Sequence, residues 1–165
     1  MFNFHLFPHT RFRMHLTASN NLLIGEFSIH YEEHRFDVFP CSSGLRGYQL
    51  PEHYWTRGKG PLPPSIAVAQ DYKLSTTGYW SRKVEGLFFH FEPDPIWPVG
   101  ILAKDVKDDT PRRGEIGLHL DTHGPGTSGC EGIQGEDYFA RIEELMAIFK
   151  AEGKLFLAHH VEYDL

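Results

Sequence analysis

The sequence predicts a mainly β fold with one helix packed on it. Over most of the chain, short apolar segments with alternating side chains are separated by clusters of Gly and Pro, which is typical of strands joined by turns. Only residues 136–152 carry apolar side chains at helical spacing. The 165 residues, 41% of them hydrophobic, suffice for one well-packed domain and are too few for two. We therefore expect a single domain over residues 1–165.

The elements are predicted in chain order. Residues 22–31 and 35–39 alternate on either side of a short polar turn, which predicts a hairpin. Residues 44–65 contain so many Gly and Pro that we expect a long surface loop. The helix over 136–152 has acidic residues in its first turn and Gly153 as its C-cap. Further strands are expected at 65–69, 72–74, 83–91, 101–104, 115–120 and 154–163.

Charge and hydropathy exclude several classes of partner. The net charge of −6 and the scattered Lys and Arg argue against nucleic acid, because phosphate binding needs clustered basic side chains. No stretch approaches the roughly 20 apolar residues of a membrane span. Residues 1–9 have neither a basic start nor a small-residue cleavage site, so we expect no signal peptide and a cytoplasmic location at synthesis.

Cys130 is the candidate nucleophile. The attacking species in thiol chemistry is the thiolate, so a base must take the thiol proton. We assign that role to His119, and we assign stabilisation of an oxyanion to the backbone at Gly129. Asp121 either orients His119 or caps the turn that follows it. Cys41 is expected to be a small buried residue, because free cysteines commonly pack in cores. The alternative, a disulfide between Cys41 and Cys130, would remove the nucleophile.

Local patterning predicts how these residues meet. In a strand over 115–120, alternation places His119 and Asp121 on the face that points away from the core. The Gly-Pro-Gly at 124–126 then turns the chain back toward this strand. Cys130 is thereby expected to lie near His119.

The run His119-x-Asp-x-x-Gly-Pro-Gly-Thr-x-Gly-Cys-x-Gly-Ile, residues 119–133, resembles the active-site signature of L,D-transpeptidase (YkuD-like) catalytic domains. Residues 36–44, followed by the proline-rich 60–64, are similar to the strand, Ser-Gly and loop region of the same family. The resemblance implies a β-sandwich or barrel-like L,D-transpeptidase-type fold. It also implies a cysteine enzyme that acts on peptidoglycan stem peptides through a thioester, without a cofactor. By matching position, the site residues would be Cys130 as nucleophile, His119 as general base, Thr127 as the motif Ser/Thr and Gly129 in the oxyanion site.

The chain departs from the family pattern around its cysteine. Ser128 stands where better-known members carry a histidine. Glu131 and Gly132 stand where they carry an apolar residue followed by Arg or Asn. Because a guanidinium suits bidentate binding of a carboxylate, we expect Arg112, or its neighbour Arg113, to hold the substrate carboxylate instead.

Other residues are predicted to contact the substrate. Thr127 and Ser128 lie in the turn directly before the nucleophile. Tyr54 and Trp55 belong to the long loop, where they either cover an edge of the core or wall a substrate cleft.

Three functions remain open on these residues. The first is acyl transfer on peptidoglycan by a transpeptidase or a hydrolase, with delivery to the cell wall by a phage, lysis or secretion system. The second is a non-catalytic module that binds the cell wall or has a structural role. The third is a metal hydrolase with His119, Asp121 and His123 as ligands and His159 or His160 as a further ligand.

Overall fold

The fold, taken from a computed structural model, is described for residues 8–16, 22–122 and 126–164. Within these residues the chain forms nine strands and one α-helix. The strands are β1 His9–His15, β2 Gly25–Glu32, β3 Arg35–Ser43, β4 Tyr72–Ser75, β5 Tyr79–Ser81, β6 Gly86–Glu92, β7 Gly117–Leu120, β8 Glu131–Ile133 and β9 Phe156–Asp164, and the helix α1 is Glu136–Ala151. None of the helices in the described ranges is long and apolar enough to cross a membrane.

Eight of the strands close into a barrel. The order around the sheet is β4-β9-β1-β2-β3-β8-β7-β6, and β6 pairs back onto β4. The ninth strand, β5, continues the sheet outward from β6. The pairs β1–β9 and β7–β8 are parallel, whereas the other neighbouring strands are antiparallel. The prediction of a mainly β fold with one helix is confirmed.

Apolar side chains fill the barrel and join it to the helix. Along strand β1 burial alternates, since Thr10, Phe12 and Met14 are buried while the residues that alternate with them are more exposed. On α1 the predicted apolar stripe is buried in full: Phe139, Ile142, Leu145, Met146 and Phe149. The Phe139 ring lies 6.1 Å from the ring of Phe89 on β6, so the helix covers that part of the sheet. Each such side chain contributes about 2 kcal/mol when it is fully buried.

The density of Gly and Pro predicts that the long loop after β3 lies on the surface, but the end of this loop is buried. Its last residues, 60–64, are buried. Tyr163 on β9 donates its hydroxyl to the Leu62 carbonyl at 2.5 Å, and Tyr72 on β4 donates to the Pro63 carbonyl at 2.8 Å. Leu62 itself is fully buried, and its N–H donates to the Ser43 hydroxyl at 2.8 Å. The surface-loop prediction is therefore wrong for this segment, because two tyrosines draw its carbonyls into the core.

Several predicted elements differ from those observed. The expected hairpin is present as β2 and β3. The expected strands at 65–69 and 101–104 are wrong, since these segments contain the 3-10 turns Ser65–Ala67 and Ala103–Asp105. The sequence patterning also misses β1, β5 and β8. Strands β5 and β8 have only three residues each, too few to show a period.

Candidate active site

Cys130 lies at the end of the loop that precedes β8. It is partly exposed and lines two adjoining pockets, of about 460 and 490 Å³. Both pockets are also lined by Lys83 and Glu115, which form an ion pair across this part of the surface. The sulfur is therefore placed where a ligand can approach it from two sides.

His119, on β7, lines the 460 Å³ pocket together with Cys130. Its Nδ1 lies 2.9 Å from the Leu120 carbonyl, which can only accept, so Nδ1 carries the proton and Nε2 carries the lone pair. The imidazole stacks on Phe88 at 6.2 Å between ring centroids and is only 7% exposed. Burial lowers the pKa of His119, so the ring is neutral at neutral pH and can accept a proton.

The thiol of Cys130 is protonated at rest. Burial raises its pKa to about 11, against opposing contributions from a hydrogen bond with the Gly117 backbone and from the positive charge of Arg113. Its Sγ lies 3.8 Å from the carbonyl oxygen of Glu115. Glu115 has a positive φ of 54°, an uncommon backbone conformation that presents this carbonyl to the sulfur. Within the described parts of the chain, no hydrogen bond joins Sγ to His119.

Thr127 determines the shape of the loop before Cys130. Its hydroxyl donates to the Cys130 carbonyl at 2.5 Å and accepts from the N–H groups of Gly44 at 3.2 Å and Gly129 at 3.3 Å. The predicted substrate contact of this hydroxyl would therefore compete with three contacts inside the protein. The Gly129 N–H, predicted to stabilise an oxyanion, would have to leave Thr127 to do so.

Arg113 braces the same loop from behind. Its Nη1 donates to the carbonyls of Tyr54 at 2.8 Å and Pro61 at 2.9 Å, and its Nη2 donates to those of Gly60 and Ser128, each at 3.1 Å. The side chain is buried. Arg113 thus ties the long loop to the loop directly before Cys130. All of these hydrogen bonds of its guanidinium go to backbone carbonyls. The sequence offers no sign that Arg113, rather than the neighbouring arginine, turns inward.

Gly129 is required at its position by both conformation and space. Its φ is +117°, which side chains other than that of glycine rarely allow. A Cβ at this position would overlap the guanidinium of Arg113. The Gly-Cys pair of the motif is thus explained partly by the buried arginine behind it.

Asp121, directly after β7, is hydrogen-bonded to residues that lie before and after Cys130 in the chain. Its Oδ2 accepts from the Gly126 N–H at 2.9 Å and from the Gln134 side-chain amide at 2.8 Å. Among the described residues, no hydrogen bond joins Asp121 to His119. The His119 ring is oriented instead by the backbone carbonyl of Leu120. The predicted turn over 124–126 falls largely on residues 123–125, which lie outside the described residues.

The histidines considered as metal ligands are dispersed. His159 is inside the barrel, where its Nε2 lies 2.5 Å from Glu131, and His160 is near the outer surface. His123 lies outside the described residues. In the ranges 8–16, 22–122 and 126–164, no group of three or more His, Cys, Asp or Glu side chains is arranged to hold a metal ion.

The predicted substrate contacts are divided between neighbouring pockets. Ser128 is exposed and lines the pocket of Cys130. Trp55 and Arg112 line a different pocket of about 500 Å³, which shares Arg57 with the first. Arg112 donates to two backbone carbonyls in its own turn. Tyr54 stacks on Tyr163 at 5.9 Å and packs against the core.

Arg57 is a pocket residue that sequence reasoning misses. It is exposed, and in the described part of the chain it forms no hydrogen bond or ion pair. The only sequence signal is its place in the long loop shortly after Tyr54 and Trp55. Its position between two pockets makes it available to an anionic ligand.

One pocket therefore unites Cys130, His119, Asp121, Thr127 and Ser128. No protein-family profile, curated protein or solved structure matches the chain.

Proposed function

We propose that the chain is a cysteine acyl-transfer enzyme of the L,D-transpeptidase type, acting on peptidoglycan stem peptides through a thioester on Cys130. The observation that supports it most directly is that Cys130 and a neutral His119 line the same open pocket. The motif resemblance supplies the substrate class. Access to the cell wall would come through a phage, lysis or secretion system.

The reaction begins with proton transfer from Cys130 to Nε2 of His119. The thiolate attacks a substrate carbonyl carbon, and the resulting oxyanion is stabilised by the backbone N–H of Cys130, with that of Gly129 if it leaves Thr127. When the C–N bond breaks, the imidazolium of His119 returns the proton to the leaving amine. The product is a thioester between the acyl group and Sγ.

The resting protonation states favour activation by the substrate. Because the pKa of Cys130 is about 11 and His119 is neutral, the thiolate fraction of Cys130 is small until the sulfur and the imidazole approach each other. Catalytic hydrogen bonds are often long in a ligand-free site and shorten in the complex. Cys130 would therefore gain its base when substrate fills the pocket and displaces the sulfur from the Glu115 carbonyl.

The second pocket accommodates the next step. It adjoins Cys130 on the side of Tyr79 and His90 and leaves about 490 Å³ for an incoming amine or water. An amine would complete transpeptidation, and water would complete hydrolysis.

Arg57 is the cation best placed to bind a substrate carboxylate. Three cationic side chains line the Cys130 pocket. Arg113 is committed to four backbone carbonyls, and Lys83 is paired with Glu115. Arg57 forms no hydrogen bond or ion pair with the described residues, although its charge acts on the Glu115 carboxyl, and we assign to it the role that the sequence suggests for Arg112.

The decisive experiment is intact-protein and peptide mass spectrometry after incubation with stem tetrapeptides and, separately, with a carbapenem. We expect an acyl adduct on Cys130 that is missing in Cys130→Ala and retained in Cys41→Ala, since Cys41 is fully buried. Adduct formation should also be slowed in His119→Gln. An unmodified Cys130 in the folded protein, with every substrate tried, would refute the acyl-transfer proposal.

A non-catalytic wall-binding module is the second candidate. It is favoured by the raised pKa of Cys130 and by the contact of its sulfur with Glu115 rather than with His119. It predicts binding to isolated peptidoglycan that is the same in the wild type and in Cys130→Ala. Pull-down of both proteins with insoluble wall material, together with the adduct experiment, separates the two functions.

A further inference from the structure

Glu131, the residue directly after Cys130, points into the barrel and meets a histidine there. Its Oε2 lies 2.5 Å from Nε2 of His159 on β9, and both side chains have no exposed area. Nδ1 of His159 lies 2.7 Å from the hydroxyl oxygen of Thr10 on β1. Glu131 is one of the positions at which the chain departs from the family pattern, and this pairing gives the departure a structural context.

The hydrogen bonds determine where the protons lie. The Thr10 hydroxyl donates to the Ala158 carbonyl at 3.4 Å, so its oxygen accepts the Nδ1 proton of His159. Glu131 and Nε2 of His159 then share one proton between them. Short bonds of this kind, with a charged partner, are about twice as strong as neutral ones and hold their geometry closely.

The apolar surroundings of Glu131 and His159 make the burial of this pair unfavourable. The His159 ring stacks on Phe91 at 4.6 Å and contacts Phe27 at 5.7 Å and Tyr72 at 6.3 Å. Within the described residues, Oε1 of Glu131 has no hydrogen-bond partner. Apolar residues of similar volume often give equal or greater stability than a buried ionic pair, so stability alone does not account for this one.

The pair ties two opposite walls of the barrel. Strands β8 and β9 are not neighbours, because β1, β2 and β3 lie between them in the sheet. The backbone of Glu131 pairs with Ser43 on β3 and with Leu118 on β7, the residue before His119. The hydrogen bond between Glu131 and His159 crosses the barrel interior. It therefore fixes the start of β8, which follows Cys130 and pairs with β7, the strand that carries His119.

We propose that Glu131 and His159 are positioning residues, whose bond across the barrel holds the sulfur of Cys130 in register with the imidazole of His119. The catalytic consequence rests on the proposed function, but the positioning itself is measurable on the thiol alone. Neither residue touches the substrate. Their effect passes through the backbone at the start of β8.

The test is a double-mutant cycle on alkylation of Cys130 by iodoacetamide at pH 7.5, with Glu131→Gln and His119→Gln. Gln keeps the shape of Glu131, but it replaces the short charge-assisted bond to Nε2 of His159 with a weaker neutral one, which holds the geometry less closely. If the pair positions the thiol, Glu131→Gln slows alkylation by about 5-fold or more when His119 is present, and by less than about 2-fold in the His119→Gln background. For the proposed reaction, we expect kcat to fall while KM stays within about 2-fold.

The sign of the effect separates positioning from electrostatics. The Glu131 charge contributes to the raised pKa of Cys130, so a purely electrostatic role predicts faster alkylation in Glu131→Gln, with or without His119. The positioning proposal would be overturned by any of three results for Glu131→Gln: faster alkylation, no change in alkylation, or an equal slowing with and without His119. If His119→Gln alone has no effect on alkylation, both positioning and the proposed base are refuted. If the double-mutant cycle gives the expected alkylation rates but no acyl adduct forms, only the proposed acyl transfer on peptidoglycan is refuted.

Two variants guard against a folding artefact. His159→Gln takes the imidazole out of the same charge-assisted bond, from the opposite wall of the barrel, and should reproduce the slowing, which keeps the test valid if Glu131→Gln does not fold. Glu162→Gln makes the same chemical change at a partly exposed position on β9, where the side chain pairs with Arg13 at 2.7 Å. It should leave alkylation unchanged. Near-ultraviolet circular dichroism and thermal melting of each variant establish that its native packing is retained.

Discussion

At the scale of single residues, Cys130 and His119 line one pocket and are both neutral at rest. Burial acts on both side chains but in opposite directions, because it disfavours the charged form of each. The thiol keeps its proton and the imidazole stays free to take it. This differs from a site with a stored thiolate, which would react with any electrophile.

The pH dependence of Cys130 alkylation follows from these two shifts. In His119→Gln, only thiolate reacts, so the rate should climb about tenfold per pH unit until it levels near pH 11. The wild type should react at least about 10-fold faster than this variant at pH 7, because His119 takes the proton. The two rates should converge near pH 11. Mass-spectrometric kinetics with iodoacetamide measure both profiles, and identical profiles would remove His119 from the mechanism.

Arg57 should control the preference of the pocket for anions. With iodoacetate and iodoacetamide as matched reagents, Arg57→Gln should lower the iodoacetate-to-iodoacetamide rate ratio at Cys130 by about 3- to 10-fold, because a nearby cation raises the local concentration of anions. The effect should shrink at high salt. Arg112→Gln is the control, and a larger fall in that variant would return the role to Arg112.

At the scale of elements, the loop directly before Cys130 is held by the buried Arg113. Arg113→Met would leave four backbone carbonyls without their donor, so we expect a loss of about 3 kcal/mol in the free energy of unfolding. The neighbouring Arg112→Met removes a partly exposed side chain that bonds only within its own turn, and it should change stability by less than about 0.5 kcal/mol. Urea unfolding of both variants checks the difference, and equal losses would contradict the bracing role.

The pairing of β1 with β2 carries an acid-sensitive feature. His9 and His30 stack face to face at 4.6 Å, and the pKa of His30 is lowered to about 4, first by burial and then by His9 and Arg11. The unfolded chain takes up the His30 proton below about pH 6.5, whereas the folded chain does so only near pH 4. Stability is therefore lost as the pH falls from 6.5 toward 4.

The variant His30→Gln should remove this part of the acid sensitivity. Because the ring is substantially exposed, solvent screening reduces the effect to the order of 1 kcal/mol between pH 6.5 and 4. At pH 8 neither state binds this proton, so any difference there reports only the lost stacking. Denaturation curves at each pH give the comparison, and equal slopes for the two proteins between pH 6.5 and 4 would contradict the assignment.

At the scale of the whole molecule, the closed sheet explains why the site and the interior are coupled. A closed barrel leaves no free edge along its eight strands, so β8 can be short and still be held on both sides. Its inward side chain, Glu131, reaches the opposite wall, and the preceding residue, Cys130, faces the pocket. One strand thus connects the barrel interior to the candidate nucleophile.

The parts of the fold that local patterning predicts are those with a local physical cause. The stripe on α1 and the hairpin of β2 and β3 are determined by side-chain periodicity and a short turn. The placement of Cys130 and His119 on one pocket follows in the same way from their closeness in the chain. The sequence by itself therefore determined a mainly β domain with Cys130 and His119 as its candidate site.

Only the tertiary structure decided which neighbours complete that site. Arg112 and Arg113 are chemically alike, and packing alone turns Arg113 inward onto carbonyls from two loops. Glu131 finds His159 from a strand on the far side of the barrel, 28 residues later in the chain. Such contacts depend on how the closed sheet brings distant segments together, and no local periodicity encodes that arrangement.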